Sequence, residues 1–219
     1  MLTYEDVANN EQIKTYIRKE DETLRFLGYT EHSFAHVTKV ARDARDILLA
    51  LGYPAREAEL AQIAGYLHDI GNVINRIDHA QSGAVMAFRL LDKLGADAGE
   101  IATIISAIGN HDEATAAPVN PVAAALILAD KTDVRRSRVR NPDPAAFDIH
   151  DRVNYAVEEA STEISPDGSA FTLKIRIDTA ISAVMDYFEI FLDRMLLCRR
   201  AAETLGMRFG LVINGQVVL

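Results

Sequence analysis

The chain has 219 residues, of which 49% are hydrophobic and 25% charged, so it can bury a sizeable core as one domain or as a domain with a small appendage. Its formal net charge of -9 argues against general nucleic-acid binding, and no apolar run approaches the ~20 residues of a membrane span. Cys198 is its only cysteine, which excludes an intrachain disulfide and a thiolate-rich metal cage.

Along most of the chain, apolar residues recur at intervals of three and four, which is the spacing of one helical face. This pattern predicts helices over residues 31–51, from Pro54 to Gly71, from Asp78 to Gly95, from Asp97 through Ile108, and from Pro121 through Val134. The segments 1–27 and 148–161 also have helical patterns. We expect Asp78 and Asp97 to cap the helices that follow them and Gly71 to end the second one.

The pattern changes near Pro166. The alternation in TLKIRID predicts a strand, residues 179–205 form a predicted long helix, and the Asn-Gly in FGLVINGQVVL predicts a hairpin with a type I′ turn. We therefore predict a mainly α fold with a small C-terminal antiparallel β element. The predicted divisions are an N-terminal helical segment (1–30), a central helical domain (31–165) and a strand-helix-hairpin appendage (166–219).

Several predicted helices place a histidine or an aspartate where the apolar stripe would otherwise continue. These inward polar candidates are His36, His68, His79, His111 and Asp130, and Asp69 directly follows His68. One buried imidazole is ordinarily a hydrogen-bonded core residue, but burying an unpaired carboxylate is costly. If the six side chains converge, a divalent metal supplies the missing positive charge.

Nitrogen and oxygen ligands of this kind suit Fe, Mn, Co, Ni, Zn or Mg. Six candidate ligands are too many for one tetrahedral ion with an open position. The set therefore favours two metal ions that share Asp69 as a bridge.

The order of these residues resembles the HD-domain metal-dependent phosphohydrolases. HVTKVARDA is similar to the first motif of that family, LHDIGN to its central motif, and LILADKTD to its closing aspartate motif. HAQSGA and GNHDE resemble the subgroup with two extra histidines, which includes the HD-GYP proteins and the HD-type symmetric diadenosine tetraphosphate hydrolases. The resemblance covers about residues 31–140 and implies a helical HD-domain bundle with a metal-binding domain whose ligands are His36, His68, Asp69, His79, His111 and Asp130.

The chain departs from the HD-GYP pattern in one motif. Asp112 stands where those proteins usually carry a second histidine, and no GYP tripeptide follows. A cyclic dinucleotide is therefore a weaker substrate prediction than another nucleotide-like compound.

The resemblance implies hydrolysis of a phosphate ester or anhydride of a nucleotide-like small molecule by metal-activated water. His68 and Asp69 are the predicted catalytic pair, with Asp69 also bridging the metals. Asp112 and Glu113 are predicted to hold a ligand imidazole by its second nitrogen.

Three further residues are predicted to bind substrate. Lys131 and Arg135 follow Asp130 and would be neighbours on a continuing helix, where they could bind phosphate. His32 lies one turn before His36 and could orient the substrate or be the first metal ligand instead of His36.

Two alternatives to this prediction remain open. The chain could be a non-catalytic metal- or nucleotide-binding regulator on an HD scaffold, or it could hold one metal ion with His79 and His111 acting on the substrate. We expect a cytoplasmic protein without a membrane partner, because its first residues lack the features of a signal peptide. The C-terminal hairpin leaves a sheet edge through which a homodimer could form.

Overall fold

Helices make up most of the fold. A computed structural model describes residues 1–113 and 115–219. In chain order its α-helices are α1 (Tyr4–Ala8), α2 (Glu11–Phe26), α3 (Phe34–Ala50), α4 (Ala55–Leu67), α5 (His79–Lys93), α6 (Ala98–Gly109), α7 (Pro121–Lys131), α8 (Ile149–Ala156) and α9 (Val184–Thr204). The strands are β1 (Val157–Ile164), β2 (Ala170–Ile177), β3 (Arg208–Ile213) and β4 (Gln216–Val217). The predicted mainly α fold with a small C-terminal sheet is confirmed.

Helix α7 lies at the centre of the bundle. Its residues from Val122 to Lys131 are all buried, and it packs against α3, α4, α6 and α9. A helix that is buried on every side belongs to the interior of a fold. Any polar residue near its end therefore points into protein. Among the residues that the structure describes, none of the helices is both long and apolar enough to cross a bilayer.

The second predicted helix ends earlier than Gly71, which corrects its predicted end. Helix α4 stops at Leu67, and Gly71 lies in a short 3₁₀ helix, Ile70–Val73. A Cβ at Gly71 would lie 2.0 Å from the carbonyl oxygen of His79. The glycine therefore allows the start of α5 to approach the end of α4 closely.

Two further helix predictions need correction. Helix α7 ends at Lys131 instead of continuing through Val134. Asp78 precedes α5 with φ 57 and makes no side-chain capping bond, whereas Asp97 caps α6 as predicted by accepting from the backbone N–H groups of Gly99 and Glu100.

The C-terminal region differs from its prediction in two places. The predicted helix over residues 148–161 is wrong after Ala156, because β1 begins at Val157 and pairs antiparallel with β2. The long helix α9 begins at Val184, five residues later than predicted.

The sheet is mixed, whereas the sequence predicted antiparallel pairing throughout. Strands β2 and β3 are parallel, because α9 carries the chain from the end of one back to the start of the other. Strands β3 and β4 form the predicted hairpin, with positive φ at Asn214 and Gly215. The predicted division into three segments stays a prediction, although the pairing of β1 with β2 crosses its boundary at residue 166.

Candidate metal centre

Six polar side chains from five helical regions meet in the interior of the bundle. Each is at most 8% exposed. His36 lies in the first turn of α3, His68 and Asp69 follow α4, His79 begins α5, His111 follows α6, and Asp130 is near the end of α7. The helix ends therefore bring together the predicted ligand set.

The carboxylate of Asp69 separates the imidazoles into two groups. Its Oδ2 lies 3.0 Å from Nε2 of His68 and 3.6 Å from Nε2 of His36. Its Oδ1 lies 3.4 Å from Nε2 of His79 and 3.9 Å from Nε2 of His111. Each oxygen of this one carboxylate thus faces a different pair of histidines.

Asp130 completes the first of these groups. Its Oδ1 lies 3.4 Å from Nε2 of His36 and 3.6 Å from Nε2 of His68. Ligand atoms of His36, His68 and Asp130 all lie within 4.8 Å of one another, and so do those of His68, Asp69 and His111.

The second ring nitrogen of each of these histidines is held by the protein. Nδ1 of His68 donates to the carbonyl oxygen of Gly65 at 2.8 Å, and Nδ1 of His111 donates to that of Ile108 at 2.6 Å. Because a carbonyl oxygen can only accept, Nδ1 carries a hydrogen, so the lone pair of the neutral ring is on Nε2. Both rings therefore present an electron pair to the centre.

His36 is oriented by a carboxylate that the sequence analysis did not predict. Its Nδ1 lies 2.8 Å from Oδ2 of Asp133. Burial would raise the pKa of Asp133, but the hydrogen bond from His36 and the charge of Arg138 outweigh it and hold that pKa well below its usual value. An ionised Asp133 accepts the Nδ1 hydrogen and makes the ring a more basic ligand.

The buried carboxylates of the cluster carry negative charge that a bound cation would balance. Burial raises the pKa of Asp69, but the surrounding imidazoles outweigh this effect and keep the pKa well below its usual value. Burial lowers the pKa of His68, but the charges of Asp69 and Asp130 outweigh it and raise the pKa to about 10. Without a metal, a proton on His68 partly balances the two carboxylates.

The donor set fits divalent metal ions. The Nε2 atoms of His36 and His68 are buried and have no hydrogen-bond partner in the part of the chain that the structure describes. A buried imidazole nitrogen without a partner loses solvation unless it binds a proton or a cation. Imidazole nitrogens and carboxylate oxygens are the ligands that such ions take in proteins.

A cavity of about 360 Å³ opens beside this cluster. Asp69, His79 and Asp130 line one part of its wall. The remaining lining carries the cationic side chains of Arg76, Lys131, Arg138 and Arg194 and the acidic side chains of Asp148 and Asp151. Carboxylates, imidazoles and cationic groups therefore line one space, which is at the lower end of the size range of small-molecule sites.

The structure places Lys131 and Arg135 differently. Lys131 lines the cavity, and its Nζ lies 2.7 Å from Oδ2 of Asp130 and 3.2 Å from Oε2 of Glu113. Arg135 lies beyond the end of α7, so the predicted shared helix is wrong. Its guanidinium donates to Asp133 at 2.7 Å and lies outside the cavity lining.

His32 lines the cavity beside the first group of ligands. The residue is 8% exposed, and its ring centroid lies 5.5 Å from that of His36. Nδ1 of His32 lies 2.7 Å from the carbonyl oxygen of Thr30, which leaves Nε2 for another partner. His36, and not His32, is the ring that lies between Asp69 and Asp130.

The two predicted supporting acids do not contact the second nitrogen of a ligand. Oδ1 of Asp112 lies 3.9 Å from Nε2 of His79, which is the nitrogen that faces the centre. Glu113 pairs with Lys131 and Arg194. The predicted role belongs to Asp133, and its position three residues after Asp130 in LILADKTD was the available signal.

The sequence analysis also missed Glu20 of α2. Its side chain is fully buried, and neither carboxylate oxygen has a hydrogen-bond partner in residues 1–113 and 115–219. Burial and the nearby charge of Asp69 raise its pKa well above the usual value. Glu20 continues the buried stripe of Ile13 and Ile17 at helical spacing, which could have identified it.

The chain is similar to known proteins along most of its length. It is 24% identical over 212 residues to an uncharacterized protein of Methanocaldococcus jannaschii, a match that covers 86% of this chain and 80% of that protein. It is also similar to the crystal structure of a predicted HD superfamily hydrolase from an uncultured Thermotogales bacterium, with 25% identity and a TM-score of 0.45 over 57% of this chain and 67% of that one. Residues 33–135 match the family model of the HD domain.

Proposed function

We propose that the protein is a metal-dependent phosphohydrolase that cleaves a phosphate ester or anhydride of a nucleotide-like small molecule. The observation that carries the proposal is the position of Asp69, whose two oxygens face separate pairs of histidines. This arrangement supports a binuclear site in which Asp69 is the bridging ligand. Bound divalent ions would lower the pKa of water and neutralise charge on the phosphoryl group.

The residues of the chain would act around that centre in three ways. Asp130 and the histidines of the two groups would hold the metals, with Asp133 fixing the ring of His36. Asp69 would also orient the attacking water by accepting one of its hydrogens. The cations of the cavity lining would attract the phosphoryl oxygens into the cavity.

Phosphate release measures the proposed activity. Chelator-stripped protein would be reloaded with Mn, Fe, Co, Ni, Zn or Mg and incubated with nucleoside monophosphates, dinucleoside polyphosphates and a guanosine alarmone. We expect release only with metal, and only from part of this panel. Fully metallated protein that turns over none of these compounds would contradict the proposal and support the regulator alternative.

The number of metal ions distinguishes the binuclear site from the alternative with one. We expect two ions per chain in the natural protein and about one in His79→Asn. Asp46→Asn is the control, because Asp46 is an exposed residue of α3 that pairs with Arg45 and does not line the cavity, and its metal content should stay at two. A ratio of one in the natural protein that His79→Asn leaves unchanged would favour the single-metal site.

We also propose a relationship to one subgroup of the HD-domain proteins. The two extra histidines of HAQSGA and GNHDE support a place beside the HD-type symmetric diadenosine tetraphosphate hydrolases. Because the cavity is small, it favours substrates that place only a phosphate and a small leaving group near the centre.

A further inference from the structure

The long C-terminal helix contributes a cation to the cavity. Arg194 lies in α9, outside the HD-domain match at residues 33–135, and it lines the same cavity as Asp69 and Asp130. Its side chain is 28% exposed. It is thus shielded by protein but still accessible to a molecule in the cavity.

The Arg194 guanidinium is held on two sides. Nε forms an ion pair with Oε1 of Glu113, and the group lies over the ring of Phe191 at 4.8 Å from its centroid. Burial would raise the pKa of Glu113, but Lys131 and Arg194 outweigh it and keep the carboxylate ionised. These contacts fix the guanidinium plane before any ligand binds.

A line of ion pairs connects Arg194 with the metal centre. Lys131 bridges Oε2 of Glu113 and Oδ2 of Asp130, at 3.2 and 2.7 Å. Asp130 is in turn a member of the ligand cluster. These ion pairs connect α9 to the candidate ligand Asp130. They therefore fix the position of Arg194 relative to the metal ligands.

Arg194 pairs with Glu113 through Nε, and its two terminal nitrogens donate no hydrogen bond to the part of the chain that the structure describes. Arg138, on the same wall, instead donates through Nε and Nη1 to the backbone carbonyl oxygens of Glu31 and Asp133. Two parallel N–H groups match two oxygens of a phosphate better than the single ammonium of a lysine does.

We propose that Arg194 is a substrate-binding residue whose terminal nitrogens contact two oxygens of the phosphoryl group, and that Glu113 is the residue that positions it. The proposal rests on the proposed phosphohydrolase function for its substrate class, a small phosphate ester or anhydride. It assigns a role in the site to the C-terminal segment, which lies outside the HD-domain match.

Binding of inorganic phosphate tests the proposal without turnover. Metal-loaded protein would be titrated with inorganic phosphate by calorimetry. We expect Arg194→Gln to weaken binding roughly 10- to 100-fold, as for loss of a charged hydrogen-bonding pair, and Arg194→Lys to restore only part of it. Arg200→Gln, an exposed arginine of the same helix, is the matched control and should change the affinity less than about twofold.

Glu113→Gln provides a second variant that retains the size of the side chain. We expect it to weaken phosphate binding by a smaller factor than Arg194→Gln and to leave the metal content at its natural value. With a substrate from the panel, both variants should raise KM more than they lower kcat. A purely structural role would lower the melting temperature of both variants with no change in phosphate affinity or KM.

The outcomes separate this inference from the proposed function. Phosphate binding that depends on Arg194 in a protein without turnover would support the inference and contradict the phosphohydrolase function. Natural protein that binds no phosphate, or folded Arg194→Gln with unchanged affinity, would overturn the inference even if hydrolysis is observed. If Arg194→Gln fails to fold, unchanged affinity in both Arg194→Lys and Glu113→Gln would overturn it.

Discussion

The two walls of the cavity are built in different ways. The ligand wall lies within residues 33–135, the segment similar to the HD-domain model, and its histidines are buried and held through a second ring nitrogen by a carbonyl or carboxylate oxygen. The opposite wall is formed by Arg194 of α9 together with Leu27, Tyr29 and His150, and the last three residues are exposed. A rigid wall suits metal ions, whose ligands need fixed geometry, whereas a more open wall suits a substrate that must enter and leave.

This comparison predicts that changes on the two walls have different consequences. Variants of the ligand wall should lose metal, and with it turnover. Variants of the opposite wall should keep their metal and bind phosphate less well. The expected effects below are ordered from the largest to the smallest.

Asp69→Asn should have the largest effect, because it removes the charge that both groups of histidines share. We expect metal content to fall below one ion per chain and phosphate release to fall roughly 10³-fold. Elemental analysis and the phosphate assay measure the two quantities. Asp46→Asn, which changes an exposed partner of Arg45, should alter neither, and an Asp69 variant with full metal content would contradict the comparison.

Asp133→Asn tests whether the hydrogen bond between His36 and Asp133 affects metal affinity. The change weakens the acceptor for Nδ1 of His36 but keeps its shape. We expect metal affinity to fall about 10- to 100-fold, measured by competition with a chromogenic chelator. Because Asp133 also binds Arg135, the Arg135→Gln variant measures how much of the loss comes through that ion pair. Metal affinity unchanged in Asp133→Asn would show that the ring needs no such support.

Glu20→Gln should stabilise the metal-free protein, because burial of an ionised carboxylate without a partner costs free energy. The folded-state pKa of Glu20 lies above its usual value, so the natural protein loses stability as pH rises through that usual value. Glu20→Gln does not lose stability in this way, because glutamine does not ionise. Its advantage in free energy of unfolding should therefore grow with pH and reach about 2 kcal/mol near pH 7.

Chemical denaturation at several pH values measures this difference. Glu22→Gln is the matched control, because Glu22 is an exposed residue of the same helix that pairs with Lys19. It should change stability by less than about 0.5 kcal/mol. A Glu20 variant that is less stable than the natural protein at neutral pH would contradict the description of this buried carboxylate.

Most of the ligand wall could be predicted from the sequence, whereas the opposite wall could not. His68 and His111 continue apolar helical stripes, so periodicity places them inside. Arg194 lies on α9. The apolar pattern of this helix indicates that it is buried, but not which other element it contacts. Its place beside the candidate metal centre depends on how α9 packs on α7, which is a tertiary contact.

The sheet illustrates the same limit in the fold. The alternation in β2 and the Asn-Gly turn are local signals, and both were predicted correctly. Strand β1 reads VEEASTEI, a segment largely exposed and rich in glutamate, whose pairing with β2 is set by contacts distant in sequence. The parallel pairing of β2 with β3 follows from the crossover through α9.

Anomalous X-ray scattering from crystals of metal-loaded protein tests the central claim most directly, because it locates each ion independently of activity. The account predicts two peaks, one among His36, His68 and Asp130 and the other beside His79 and His111, with Asp69 between them. A single peak, or peaks away from Asp69, would contradict the binuclear centre.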